Sequence, residues 1–124
     1  MDIKKKIGNW GESLAQDYYF TKGYKLVEVN AVQSDKKVLG EIDLIVEKDQ
    51  EIVFVEVKTR THKGQAFGEN AVDYRKKEKL RKAINRFLFH NERYQDYYPR
   101  CDILVIEIFN LVPKFIQFEN IELT

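Results

Sequence analysis

The chain has 124 residues, of which 44% are hydrophobic, a proportion too high for an intrinsically disordered protein. This length suits one domain with one core, and we expect that domain to span residues 1–124. The formal net charge is only +1, which excludes strong binding of nucleic acid through overall charge alone.

The composition also points to a compartment. Cys101 is the single cysteine, so no intrachain disulfide can form. No apolar run approaches the ~20 residues of a membrane span, and the first residues lead into polar sequence instead of a signal-peptide core. His62 and His90 lie far apart and show no zinc-ligand spacing. We therefore expect a cytoplasmic protein without a zinc site.

The first predicted element is an amphipathic helix from about Ile3 to Lys22. Glu12 lies outside its apolar stripe, on a face with Gly8, Ala15 and Tyr19. Small residues on that face would allow the helix to approach a neighbouring element closely, which would bring Glu12 towards that element. The alternative is that Glu12 is exposed, as most glutamates in helices are. The predicted buried stripe consists of apolar residues at helical spacing: Ile3, Ile7, Trp10, Leu14 and Tyr18.

After a predicted strand over about Tyr24 to Asn30, apolar and polar residues alternate from Gly40 to Lys58. This period of two predicts two antiparallel strands joined by the polar turn Lys48-Asp49-Gln50-Glu51. The valines of the second strand occupy one face, and its glutamate and lysine occupy the other.

The register of this hairpin brings charged residues together. If Lys48 pairs with Glu51, Asp43 lies opposite Glu56 and Glu41 lies opposite Lys58. A slip by one residue would place Asp43 among the valines, which the apolar pattern opposes. The sequence therefore predicts carboxylates and a lysine on one patch of the sheet.

Such a patch has two interpretations. Two carboxylates about 4 Å apart repel by about 4 kcal/mol at an effective dielectric constant near 20, and a bound Mg²⁺ would relieve this repulsion. Lys58 would then steady a water molecule or a developing phosphate charge. The alternative is an amphipathic hairpin with a solvated face, on which Glu41 and Lys58 form a weak surface pair.

The segment from Lys58 to Arg86 is basic, with ten lysine or arginine residues against three acidic ones. A local basic excess beside the carboxylates favours a phosphate-backbone ligand, although a solvated helix face is an equally common cause. The stretch Thr59 to Gly68 has no period, so it predicts a loop that either grips a substrate or only connects two elements.

A second helix is predicted from about Ala71 or Asp73 to His90 or Asn91. Extending its buried stripe towards the N-terminus makes Lys76 face inward, where it could contact phosphate or simply snorkel. The stripe consists of Leu80, Ala83, Ile84, Phe87 and Leu88, and the basic residues predicted to face solvent are Lys79, Lys82 and Arg86. A buried strand from Arg100 to Phe109 and a short strand around Phe115 to Phe118 complete the chain.

Three strings carry a resemblance to a known family: Gly11-Glu12, Gly40-Glu41-Ile42-Asp43-Leu44-Ile45 and Phe54-Val55-Glu56-Val57-Lys58-Thr59-Arg60. They resemble the YraN-like family of small bacterial proteins, within the PD-(D/E)xK phosphodiesterase superfamily. The similarity covers nearly the whole chain. Two positions depart from the pattern, because Ile42 replaces the proline before Asp43 and Lys77 replaces a glutamine.

The resemblance implies an α/β fold with a restriction-endonuclease-like core, in which helices flank a central mixed sheet. The implied element order is α-β-β-β-α-β with a short extra strand at the C-terminus. The implied catalytic residues are Asp43, Glu56, Lys58 and, as a helper, Glu12. The implied ligands of Mg²⁺ or Mn²⁺ are Asp43, Glu56, the carbonyl group of Val57, and Glu12. The residues expected to bind nucleic acid are Arg60, Lys63, Arg75, Lys76 and Lys79.

The leading hypothesis is a metal-dependent nuclease that hydrolyses phosphodiester bonds in DNA or RNA. One alternative is a non-catalytic protein of the same fold that binds nucleic acid or assists another enzyme. A further alternative is an interaction module whose basic helix meets an acidic protein partner. Many proteins that share this fold act as dimers, so the resemblance leaves a homodimer open. No membrane partner is expected.

Overall fold

The structure is a computed structural model that describes residues 3–32, 41–62 and 72–123. Its elements follow the predicted order, with a single turn of 3₁₀-helix at Glu92–Tyr94 before the fourth strand. The helices and strands are α1 (Ile3–Thr21), β1 (Lys25–Val32), β2 (Glu41–Lys48), β3 (Glu51–Arg60), α2 (Tyr74–His90), β4 (Tyr98–Glu107) and β5 (Lys114–Phe118).

The five strands form one mixed sheet in the order β1-β2-β3-β4-β5. Strands β3 and β4 are parallel, and the other neighbours are antiparallel. A parallel pair requires a crossover connection, and α2 lies in the connection between β3 and β4. The predicted α/β class, mixed sheet and element order are confirmed.

The hairpin of β2 and β3 has the predicted register. Its Cα partners run from Lys48 and Glu51 at the turn to Leu44 and Val55. Both central turn residues have positive φ, 49° for Asp49 and 64° for Gln50, as a two-residue type I′ turn requires. This turn matches the right-handed twist of the strands, so the local sequence and the hydrophobic pattern specify the same pairing.

The two helices cover opposite faces of the sheet. Ile52 and Phe54 of β3 belong to a core cluster that includes the buried residues of α2. Val53 and Val55 belong to a second cluster that includes Ala15 and other residues of α1. The alternation along β3 therefore places Glu56 on the α2 face, following Ile52 and Phe54.

The predicted buried stripe of α1 is wrong. Ala15 and Tyr19 are fully buried and Gly11 is buried, whereas the side chains of Ile3 and Trp10 are 70% and 38% exposed. The helix packs on the face that carries Gly11, Ala15 and Tyr19, because the glycine and alanine allow its backbone to approach the sheet closely. The remaining members of the predicted stripe are half-buried: Ile7, Leu14 and Tyr18.

The second helix agrees with the sequence. Asp73 caps its N-terminus, because its side chain accepts a hydrogen bond of 2.9 Å from the N–H of Lys76. Lys76 is half-buried, as predicted for an inward-facing lysine. The buried residues of α2 are Leu80, Ala83, Ile84 and Phe87, while Lys79, Lys82 and Arg86 are exposed.

Within the three described ranges, neither helix is long and apolar enough to cross a membrane.

Candidate functional site

The centre of the site is the buried carboxylate of Glu56, whose side chain is only 3% exposed. Its Oε2 atom lies 3.5 Å from Nζ of Lys58 and 3.2 Å from Nζ of Lys76. Its Oε1 atom is buried and, in the described part of the chain, accepts no hydrogen bond from an N–H group or a hydroxyl side chain. A buried polar atom without a partner is costly and rare in native proteins, so this oxygen calls for an explanation.

Asp43 of β2 is the second carboxylate of the site. Its Oδ2 atom accepts a hydrogen bond of 2.8 Å from the N–H of Val57. Burial, followed by the negative charge of Glu56, raises the pKa of Asp43 to about 8, although the bond from Val57 opposes this shift. The recorded pairing of the hairpin ends at Leu44 and Val55, and beyond it Asp43 lies next to Glu56, whose charge and side chain act on its pKa. The two carboxylates therefore meet as the sequence predicts.

Glu12 belongs to α1, which packs on the opposite face of the sheet from α2. A Cβ atom on the neighbouring Gly11 would overlap Oγ1 of Thr59, so glycine is what allows α1 to lie so close to β3. Glu12 is half-buried, and its charge contributes to the raised pKa of Asp43, though less than burial and Glu56 do. In the described part of the chain, no three His, Cys, Asp or Glu side chains lie close enough together to hold a metal ion by themselves.

Two ammonium groups separate the buried carboxylate of Glu56 from solvent. The side chain of Lys58 is 33% exposed and that of Lys76 is 39% exposed. Lys58 reaches Glu56 from the same strand, whereas Lys76 reaches it from the first turn of α2. The contacts of the site therefore join β2, β3 and α2, while Glu12 of α1 acts on Asp43 through its charge.

The other residues predicted to bind nucleic acid lie in three different settings. Arg75 and Lys79 are exposed on α2. Arg60 is buried at the end of β3, where its guanidinium is paired with Glu107. A buried and paired guanidinium is not available to a phosphate backbone, so we do not retain Arg60 as a contact. Lys63 lies outside the described residues.

The predicted pairing of Lys58 with Glu41 involves a side chain outside the described part of the structure, because that of Glu41 is not described. The observed partner is Glu56, which shares a face and a strand with Lys58. The Lys58 side chain therefore points towards the carboxylate pair, where its catalytic role was expected.

The side chains present fit a hard divalent cation. Such a cation prefers carboxylate and carbonyl oxygens, and Mg²⁺ commonly takes one or two carboxylates while water and phosphate complete its coordination. In the residues that the structure describes, Oε1 of Glu56 has no N–H or hydroxyl donor, and burial and like charge raise the pKa of the neighbouring Asp43. A cation between these carboxylates would give Oε1 of Glu56 a partner and would offset the like charge that raises the pKa of Asp43.

Two features of the site were not predicted. The sequence indicated that Lys76 faces inward, but not that it shares one oxygen of Glu56 with Lys58. The contact of Gly11 with Thr59 was also missed, although a glycine inside a helix beside Glu12 was an available signal.

A comparison with solved structures finds SfsA from Pyrococcus furiosus, in a structure titled as a complex with Ca²⁺. The match has 10% sequence identity and a TM-score of 0.39, and it covers 95% of this chain but 64% of that chain.

Comparison with protein sequences finds relatives that are much more similar to this chain. UPF0102 protein TTE1452 from Caldanaerobacter subterraneus subsp. tengcongensis is 40% identical over 118 residues, which cover 95% of this chain and 90% of that protein. A UPF0102 protein from Syntrophomonas wolfei is 40% identical over 106 residues, which cover 86% of each chain. The sequence profile of the Uncharacterised protein family UPF0102 matches residues 11–106. The chain belongs to the UPF0102 family, whose YraN-like members its motifs resemble.

Proposed function

We propose that this protein is a nuclease that uses Mg²⁺ or Mn²⁺ to hydrolyse phosphodiester bonds in DNA or RNA. The observation that carries this proposal is the burial of Glu56 against Asp43: the charge of Glu56 raises the pKa of Asp43, and Oε1 of Glu56 has no N–H or hydroxyl donor among the described residues. A structural role alone gives no reason to bury two carboxylates against each other.

The ligands would be the carboxylates of Asp43 and Glu56 and the backbone carbonyl of Val57, with Glu12 as an additional ligand. A cation bound there would lower the pKa of a water molecule and offset negative charge on the scissile phosphate. Gly11 contributes indirectly, because it allows α1 to carry Glu12 close to the sheet.

Lys58 has the position of a group that acts on the reacting atoms. Its ammonium lies 3.5 Å from Oε2 of Glu56 and is partly exposed, so it can donate a hydrogen bond to a water molecule or to a phosphate oxygen at the same site. A positive charge held beside the developing negative charge stabilises the transition state, because the protein has already oriented it. Arg75 and Lys79, both exposed on α2, would bind phosphates that flank the cleaved bond.

The first experiment measures thermal stability with and without Mn²⁺ for the wild type and for Asp43→Asn. A ligand that binds only the folded state stabilises it by RT ln(1 + [L]/Kd), about 2.7 kcal/mol at a hundredfold excess over Kd. We expect Mn²⁺ to stabilise the wild type but not Asp43→Asn. The matched control is Asp17→Asn, which removes an exposed carboxylate of α1 and should respond like the wild type. Equal responses of wild type and Asp43→Asn would rule out the carboxylate pair as the metal site.

Activity is then measured with Mn²⁺ or Mg²⁺ on single-stranded, double-stranded and branched DNA and RNA. Loss of a metal ligand or of a charge-stabilising donor commonly lowers kcat by a hundredfold or more, so we expect Asp43→Ala and Lys58→Met to fall by at least about that factor. Equal rates for wild type and Asp43→Ala would show that a contaminant is responsible for any cleavage.

The exposed basic face of α2 supports the second candidate function, a non-catalytic protein that binds nucleic acid. Arg75 and Lys79 are exposed to solvent, and binding of phosphate by these two residues does not require Asp43. Binding of this kind would survive Asp43→Ala and would weaken when Arg75, Lys76 and Lys79 are neutralised. Each lost phosphate contact should also reduce the dependence of log K on log[salt] by about 0.9 for a DNA duplex. Binding of this kind without any cleavage would favour the second function.

A further inference from the structure

We propose that Lys76 couples metal binding to phosphate binding: its ammonium holds Glu56 in the metal-free site, and a bound cation displaces it towards the phosphate of the substrate. This inference rests on the metal site proposed above and assigns Lys76 a regulatory role in it. It differs from a plain phosphate contact because Lys76 has a carboxylate partner before any ligand arrives.

The cap of α2 fixes the backbone of Lys76, whereas its side chain is held by an ion pair with Glu56 that a ligand can displace. The N–H of Lys76 donates to Oδ1 of Asp73, the cap of α2, at 2.9 Å. Its side chain then spans from the helix to Glu56 and is 39% exposed, against 3% for the carboxylate it contacts. The ammonium of Lys76 therefore lies at the mouth of the site, and it can move to solvent without any change in α2.

The charges around Glu56 are arranged asymmetrically. Both ammonium groups lie on Oε2, at 3.2 Å for Lys76 and 3.5 Å for Lys58, while Oε1 has no N–H or hydroxyl donor among the described residues. The lysines therefore neutralise one side of Glu56, and a cation would bind on the other side. Lys58 lies on the same strand as Glu56, whereas Lys76 comes from another element and is the more exposed of the two. Lys76 is therefore the group that can leave.

The charge balance supplies the driving force for displacement. The carboxylates of Asp43 and Glu56 carry at most two negative charges, against the two positive charges of Lys58 and Lys76. Adding a divalent cation leaves an excess of positive charge, which repels the lysines and attracts a phosphodiester anion. An ammonium released at the mouth of the site is then positioned to bind that anion. Metal and phosphate should consequently raise each other's affinity, because coupling between two sites is reciprocal.

The test is a calorimetric titration with Mn²⁺ alone. Lys76→Met removes a positive charge that competes with the metal, so its affinity for Mn²⁺ should rise by about tenfold; Coulomb attraction in a partly exposed site supports an effect of that order. The control Lys82→Met removes an exposed lysine of the same helix and should change Mn²⁺ affinity by less than about twofold. Lys76→Arg keeps the charge and should stay near the wild type.

A purely structural role for Lys76 predicts the opposite result, because a disturbed site binds metal less well. Unchanged or weaker Mn²⁺ binding by Lys76→Met would therefore overturn the coupling while leaving the metal site intact. Failure of the wild type itself to bind Mn²⁺ would overturn the proposed function, and the coupling with it. If Lys76→Met fails to fold, Lys76→Gln makes the same comparison.

The second readout uses dimethyl phosphate as a simple diester. Protein-bound Mn²⁺ broadens the phosphorus resonance of a diester that binds next to it, which reports diester affinity without any cleavage. We expect Lys76→Met to bind the diester several-fold more weakly than the wild type and Lys82→Met to match the wild type. Equal diester affinity for Lys76→Met and the wild type would overturn the displacement of Lys76 towards phosphate.

Discussion

Asp43 and Glu56 lie against each other in the fold, and ionising both carboxyl groups there is unfavourable. Both belong to the sheet, and burial together with the charge of Glu56 raises the pKa of Asp43 to about 8. A carboxyl group whose pKa is higher in the folded state than in the unfolded chain binds its proton more tightly when the protein is folded. Such a group favours folding only at pH values at which it is protonated. Residues that serve a site often reduce stability in this way, since function and not folding selects them.

The raised pKa of Asp43 makes the stability of the metal-free protein depend on pH, and a chelator keeps the protein metal-free for the measurement. The folded pKa of Asp43 lies above its ordinary value near 3.8, so between about pH 4 and pH 8 the native state holds a proton that the unfolded chain has released. Stability should therefore fall as pH rises through this window, by at most about 1.4 kcal/mol per pH unit for this one group.

Urea unfolding at several pH values measures this effect, and Asp43→Asn isolates it. The free energy of unfolding of the wild type minus that of Asp43→Asn should fall steadily between pH 5 and pH 8, because asparagine does not titrate. Parallel pH profiles for the two proteins would show that Asp43 keeps an ordinary pKa and that the two carboxylates do not interact.

Helix α1 shows how a single element positions a functional residue. Its buried face consists of Gly11, Ala15 and Tyr19, and its larger apolar residues are partly exposed. Close packing at Gly11 brings the adjacent Glu12 near Asp43 across the hairpin. The two glycines of the helix therefore have different roles, since a Cβ at Gly8 would meet nothing within 4 Å.

Alanine substitutions at these two glycines should have opposite effects on stability. Gly8→Ala should be neutral or stabilise the protein by up to about 1 kcal/mol, because alanine is the better helix former. Gly11→Ala should destabilise it, because the new methyl group overlaps Oγ1 of Thr59, a β-branched residue with few rotamers.

Urea midpoints of the two variants provide the comparison. Adding Thr59→Ala to Gly11→Ala should recover part of the loss, because the overlapping atom is then absent. Equal midpoints for Gly8→Ala and Gly11→Ala would mean that α1 does not pack closely at Gly11, and the position of Glu12 would lose its explanation.

At the scale of the whole molecule, a network around Asp102 connects elements that are distant in sequence. This aspartate of β4 is fully buried. Its carboxylate accepts two hydrogen bonds of 2.9 Å from Arg100 and one of 2.8 Å from the hydroxyl of Tyr19 on α1. Gln117 of β5 and the N–H of Asn120 also donate to it. The network thus links α1, β4, β5 and the segment that follows β5.

Asp102→Ala should consequently destabilise the whole protein by roughly 3–5 kcal/mol, because it leaves the largely buried guanidinium of Arg100 without its main partner. Arg81→Ala is the comparison, since it breaks an ion pair with Glu78 on the surface of α2 and should cost less than about 1 kcal/mol. Denaturant unfolding distinguishes the two. A loss of under 1 kcal/mol for Asp102→Ala would show that the network contributes little to stability.

The sequence by itself determined the hairpin register and therefore the meeting of the two carboxylates. Alternating side chains allow only one set to face the core, so a slip of one residue would bury Asp43 among the valines and expose apolar residues. Helix α2 is also determined locally, because its apolar stripe and its N-cap at Asp73 lie within a few turns of one another. These features depend on neighbours in sequence or on a single strand pair.

Tertiary structure alone decided which face of α1 is buried and which groups surround Glu56. Both faces of α1 are consistent with a helix, and only its depth of packing on the sheet selects the small-residue face. Likewise, whether Lys76 contacts Glu56 or solvent depends on where the crossover places α2 over β3. Packing distances and angles between elements come from many weak contacts across the molecule, and no local pattern of residues encodes them.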